Sequence, residues 1–182
     1  MGSVVAEDGN PFFDKYKDHE LIWPALPGMA IMTGLAVIGL IGNSSVAIVT
    51  FKHKRLRSNC NILLSMACIG DSIHQSAHYI TSFVLFSGLN FIPLRRCLYL
   101  QTLSLIGLDF GVLLTLLIGV DRLISVLFPV KYRRINFKVY ITTVLAICST
   151  YSFITIHKAY KFMAERPYAM VTCLIVEAMP GK

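Results

Sequence analysis

Two carboxylates, Asp71 and Asp109, stand inside otherwise uncharged apolar blocks of this sequence, and a third, Asp121, closes such a block with Arg122 beside it. An ionisable side chain at mid-depth in a lipid-embedded helix costs about 2.5–3.5 kcal/mol on insertion scales, so each one needs an inward face, a hydrated cavity or a partner. After Asp71, the residues His74, Gln75, His78 and Ser82 follow at i+3, i+4, i+7 and i+11, which puts all five on one stripe of a helix. That seam could hold a cation or only satisfy buried polar groups between helices; the last carries most weight, since polar side chains commonly tie membrane helices together. His74 and His78 by themselves supply fewer metal ligands than the three or four a zinc site normally wants, so no metal is expected. Asp109 reads equally as a partner for a cationic ligand and as a buried carboxylate bonded to a neighbouring helix. Asp121-Arg122 reads either as an anchor to lipid headgroups or as a pair projecting into a cavity, and position alone does not choose. There is no nucleophile triad, Gly-rich phosphate loop or metal-ligand cluster, so neither an enzyme nor a cofactor is expected.

The elements that must hold these residues follow from composition. Of 182 residues, 55% are hydrophobic and 15% charged, against roughly 45–50% and about 25% in soluble domains. The mean hydropathy of +0.63 comes from long uncharged blocks separated by short basic runs, the pattern of membrane spans. The net charge of +7 sits in those short runs, where headgroups lie, so the bilayer and not nucleic acid is the expected partner. Four spans are expected, at about 27–51, 60–86, 97–121 and 139–157, the last the shortest. They divide the chain into an amino-terminal tail (1–25), a four-span region (26–158) and a final loop segment (159–182). Lys52, Lys54, Arg55 and Arg57 follow the first span and only Lys15 and Lys17 precede it, which puts the amino terminus outside. Glu7, Asp8, Asp14, Asp18 and Glu20 occupy the first 20 residues, where a cleavable signal would need a basic and then an apolar stretch. The five cysteines form no CxxC pair and no metal-ligand spacing.

Gly42-Asn43 in the first span, Asp71 in the second, Cys97 at the outer start of the third and Asp121-Arg122 at its inner end occur in the order and spacing of the rhodopsin-like receptors. Within that superfamily, Leu56-Arg57-Ser58-Asn59-Cys60-Asn61-Ile62-Leu63, Asp71-Ser72-Ile73-His74-Gln75 and Asp121-Arg122-Leu123-Ile124-Ser125-Val126-Leu127-Phe128-Pro129 resemble the nematode serpentine chemosensory receptors of class sx, over roughly residues 28–175. The resemblance implies an all-α membrane protein with helices 1–4 of a seven-helix bundle. It implies a plasma-membrane receptor that binds an extracellular small molecule or peptide and signals through heterotrimeric G protein.

Residue by residue, the resemblance puts Asn43 and Asp71 in an interior polar network, to which the stripe adds His74 and His78. In related receptors that network can hold a sodium ion, but Gly111 here replaces the serine usually contributed by the third span. It implies that Asp121 holds Arg122 at rest and that Arg122 turns to the carboxy-terminal helix of Gα on activation, with Leu123 in place of the customary tyrosine. Ser104, Leu108 and Asp109 fall in the region that lines the ligand cavity of such receptors. Cys97 and Cys173 both fall in outer segments, an oxidising compartment, and a disulfide between them is expected, against the alternative of two free thiols. Three further spans would be needed for signalling, so this chain is expected to be an incomplete receptor. The alternative is a four-helix membrane scaffold that pairs with a full-length receptor without signalling.

Overall fold

The computed structural model describes residues 15–16, 22–132, 134–166 and 169–174. Most of the expected tail (1–25) and part of the final segment (159–182) therefore lie outside the described residues. Four long helices dominate: α1 (Leu26–Lys52), α2 (Asn59–Phe86), α3 (Leu94–Leu127) and, after the one-turn α4 (Pro129–Tyr132), α5 (Phe137–Glu165). Their ends follow local chemistry. Pro27 sits in the first turn of α1, where its missing N–H costs nothing. The Ser58 side chain caps α2 by accepting from the Asn61 amide at 3.3 Å. Gly88, at φ 71°, takes the left-handed turn that follows α2. Asn136 caps α5, accepting from the Lys138 amide at 3.0 Å. α5 runs on to Glu165, so the first part of the segment assigned to an outer loop from residue 159 is helical.

The chain is an all-α membrane protein. Among the described residues, the helices over Trp23–Lys52, Leu94–Leu127 and Phe137–Glu165 are long and apolar enough to cross a membrane. α2 has 28 residues, about 42 Å at 1.5 Å per residue and more than a hydrocarbon core of about 30 Å. Its polar seam lowers its hydropathy, and it can carry that seam because it packs between α1 and α3. The outward faces of the other helices are apolar: Ile38 is 68% and Phe153 71% exposed, which suits lipid and not water.

α2 and α3 cross in backbone contact. A side-chain carbon added at Gly107 would lie 2.6 Å from the Gly70 carbonyl oxygen and 2.7 Å from the His74 amide nitrogen. Gly107 and Gly111 form a small-xxx-small pair, the pattern by which membrane helices approach closely. Near the start of α2, Leu63 and Ala67 pack with Leu114 of α3 and with Val144 and Cys148 of α5. At the other end Leu94, Leu98 and Leu105 of α3 pack with Ala159 and Met163 of α5. Interhelical hydroxyl pairs add to this, Thr33 with Ser82 at 2.6 Å and Ser76 with Ser104 at 2.7 Å, each worth about 0.6 kcal/mol in lipid. Above α3, β1 (Ile92–Pro93) pairs antiparallel with β2 (Met170–Val171), with Ile92 opposite Val171.

Candidate functional site

The seam of α2 faces α1 across a cleft of about 300 Å³, lined by Asn43, Asp71, His74, Gln75 and His78 with Met32, Leu35 and Ala36. The helix periodicity places the α2 residues side by side, and a one-turn step brings the His74 and His78 rings edge to face at 5.7 Å between centroids. Two close approaches set the depth of the seam. Gln75 reaches over Gly39 of α1, and the Asp71 carboxylate lies against Gly111 of α3, so a side chain at either glycine would have to displace the end of that polar side chain. At Gly111 a serine of the related receptors would occupy the place the carboxylate now fills. His74 Nδ1 and Gln75 Oε1 are buried without a hydrogen-bond partner among the described residues. Ser82, the last residue of the stripe, is spent on Thr33. Arg122 is not among the residues lining this cleft.

The three residues expected around a ligand lie in different surroundings. Ser104 is fully buried and bonded to Ser76 of α2, Leu108 is half-buried, and Asp109, 5% exposed, lies beside Ser152 and Thr155 of α5. The reason is rotational, because positions 104 and 109 on a 3.6-residue helix point about 140° apart. Asp109 Oδ2 and Ser152 Oγ are buried without a hydrogen-bond partner among the described residues, and both readings of Asp109 stay open.

At the start of α3 the structure joins Cys97 to Cys173, with Cα atoms 5.3 Å apart across 76 residues of chain. The Cys173 carbonyl accepts from Thr81 at 2.8 Å and from Gln101 at 3.1 Å, and Cys173 itself adopts a left-handed φ of 59°. The Leu94 amide donates to the Ala169 carbonyl at 2.8 Å, so the returning chain lies directly over the start of α3. Gln101, one turn after Cys97 and fully buried, is a site residue that sequence reasoning missed; an uncompensated glutamine in an apolar run on the cysteine's own face was the available signal.

Near the last turns of α3 Asp121 is buried, and its carboxylate accepts from Tyr132 at 2.9 and 3.1 Å and from Tyr140 at 2.7 Å. The ion pair expected between Asp121 and Arg122 does not form among the described residues. Adjacent helix positions diverge by about 100°, which turns Asp121 toward α4 and α5 and leaves Arg122 exposed. Burial holds the Tyr132 hydroxyl above the usual tyrosine range, and its bond to the Asp121 carboxylate adds to the shift. Tyr132 and Tyr140 were also missed, since neither stands near Asp121 in the chain; Phe128-Pro129, which break α3 and begin α4, were the clue that the chain turns back.

The family model described as serpentine type 7TM GPCR chemoreceptor Srsx matches residues 36–182. C-C chemokine receptor type 4 of Homo sapiens is 29% identical over 111 residues, which cover 57% of this chain and 29% of that receptor. The match thus spans less than a third of the receptor's length.

Proposed function

This chain belongs to the Srsx family of serpentine seven-helix G-protein-coupled chemoreceptors, and from that premise we propose that it forms the ligand-receiving and G-protein-facing half of a plasma-membrane chemoreceptor with its amino terminus outside. A multi-pass membrane protein of a receptor family has its chemistry in binding and shape change, not in bond making. In this reading a small molecule or peptide enters from the side of the disulfide-tied hairpin, and heterotrimeric G protein docks at the end where Arg122 stands.

The observation that carries the reading is α3 itself. It is one unbroken helix of 34 residues, tied at one end through Cys97 and ending at the other in a buried, tyrosine-bonded Asp121 beside an exposed Arg122. A rod about 51 Å long at 1.5 Å per residue connects the two faces of a bilayer. A free guanidinium at its inner end offers five donors to carbonyls or carboxylates of a docking helix. The remaining helices of a seven-helix receptor would supply the moving element, and this chain the fixed one.

The test is Arg122→Ala in the receptor with its full set of helices. Nucleotide exchange on co-expressed Gα is expected to be abolished while surface expression persists. An unchanged exchange rate at equal surface level would remove Arg122 from this role.

A further inference from the structure

The chain that returns over the start of α3 is held at Cys173 by more than its sulfur. The Cys173 carbonyl accepts from the Thr81 hydroxyl of α2 at 2.8 Å and from Gln101 Nε2 of α3 at 3.1 Å. A carbonyl oxygen has two lone pairs, so two donors satisfy it. Gln101 Nε2 also donates to Thr81 Oγ1 at 3.3 Å, which joins the two donors to each other. Gln101 and Cys173 are fully buried, and Thr81 is 5% exposed. The orientation of the Gln101 amide follows from this set: turned over, it would put Oε1 against the Cys173 carbonyl oxygen, one acceptor facing another.

Among the described residues, Cys173 is also the only one besides glycine with a left-handed φ, 59°. A residue with a Cβ keeps that conformation only where its surroundings fix it. The pairing of Ile92 with Val171 and the bond from the Leu94 amide to the Ala169 carbonyl lay the segment over α3, but both stop short of Cys173. Its own peptide is turned toward α2 and α3 by the two side-chain donors, and without them a buried carbonyl would be left unsatisfied. Gln101 follows Cys97 by four residues, so the amide that holds the Cys173 carbonyl stands on the same face of α3 as the sulfur that Cys173 must reach.

We infer that Gln101 and Thr81 are positioning residues for the Cys97–Cys173 bond: by holding the Cys173 carbonyl they keep its backbone left-handed, which sets one sulfur at the other and raises their effective concentration. The coupling is reciprocal, so the closed bond also strengthens the two hydrogen bonds. Neither part depends on the orientation of the chain in the membrane or on its signalling. The bond forms by exchange with a small disulfide such as oxidised glutathione. One cysteine thiolate attacks that disulfide and releases a first glutathione thiolate; the other cysteine thiolate attacks the mixed disulfide and releases a second. Two electrons pass to glutathione, and the two protons given up by the cysteines go to its thiolates.

The test equilibrates the full chain, purified in detergent, across ratios of reduced to oxidised glutathione and reads the Cys97–Cys173 disulfide by alkylation and mass spectrometry. The midpoint gives the effective concentration of the two thiols. A side chain that only packs α2 on α3 stabilises the thiol and disulfide forms alike and leaves that midpoint unmoved. Gln101→Met and Thr81→Val, which keep shape and lose the donor, are each expected to lower the effective concentration roughly fivefold, with helicity by circular dichroism unchanged. Thr81→Ser, which restores the hydroxyl, is expected to return the parent value. Ser76→Ala, which breaks the 2.7 Å pair with Ser104 elsewhere between α2 and α3, is expected to leave the midpoint where it was. Unmoved midpoints in Gln101→Met and Thr81→Val would overturn the inference, as would an equal fall in Ser76→Ala or in Thr81→Ser. Should Gln101→Met fail to fold, the contrast of Val with Ser at Thr81 decides alone.

Discussion

The two ends of α3 are held by different chemistry. At the outer end a covalent bond ties Cys97 to Cys173, the Leu94 amide bonds Ala169, and Thr81 and Gln101 both donate to the Cys173 carbonyl. At the inner end three hydrogen-bond contacts from two tyrosines hold one carboxylate, and the neighbouring arginine is left exposed. The first arrangement cannot exchange partners without reduction, whereas the second can be remade by rotating a side chain. The proposed receptor role would use that asymmetry, with a persistent shape at the disulfide-tied end and exchangeable bonds at the end where Arg122 stands.

The largest expected effect of breaking this asymmetry lies at the outer end. Cys173→Ser opens a loop closed across 76 residues, worth about 4 kcal/mol in the chain-entropy account. Thermal unfolding of the purified protein should shift down accordingly, and alkylation should report one new free thiol at Cys97. An unshifted unfolding curve would mean that the hydrogen bonds alone hold the hairpin. Next comes the crossing midway along the rod. Gly107→Val puts a branched side chain where the Gly70 carbonyl would be 2.6 Å away, and overpacking of this kind costs about 1–3 kcal/mol. Gly34→Val, with nothing within 4 Å of the new carbon, is the control expected to unfold like the parent.

The smallest effect on stability belongs to the inner end. Tyr140→Phe and Tyr132→Phe are each expected to cost about 1 kcal/mol, and because both hydroxyls bond one carboxylate the double substitution should differ from the sum. In the full receptor both should raise basal nucleotide exchange on Gα, since a freed Asp121 no longer anchors α4 and α5 to α3. If basal exchange stays flat while stability falls, the tyrosines hold the fold without restraining the switch, and the contrast between the two ends loses its functional half.

Much of this was legible in the chain. Long charge-free runs announce lipid-embedded helices because hydrocarbon tolerates little else, and the 3.6-residue repeat from Asp71 to His78 announces a shared face. That repeat led to the cleft with Asn43, because residues on one stripe of one helix stay together whatever surrounds them. Ser104, Leu108 and Asp109 were grouped by depth along α3, and depth says nothing about azimuth; the neighbours α2 and α5 pulled Ser104 and Asp109 apart. Asp121 and Arg122 were paired on the resemblance, whereas the tyrosines that bond Asp121 reach it only because the chain turns back after α3.

What the sequence by itself determined is the class of solvent, the helices and the faces they present, since these depend on composition and on local geometry alone. Tertiary structure alone decided which face meets which. It set Gly107 against Gly70, Gln101 beneath the Cys173 carbonyl and two tyrosine hydroxyls on Asp121, because contacts between residues far apart in the chain arise only when helices choose their neighbours and their rotation.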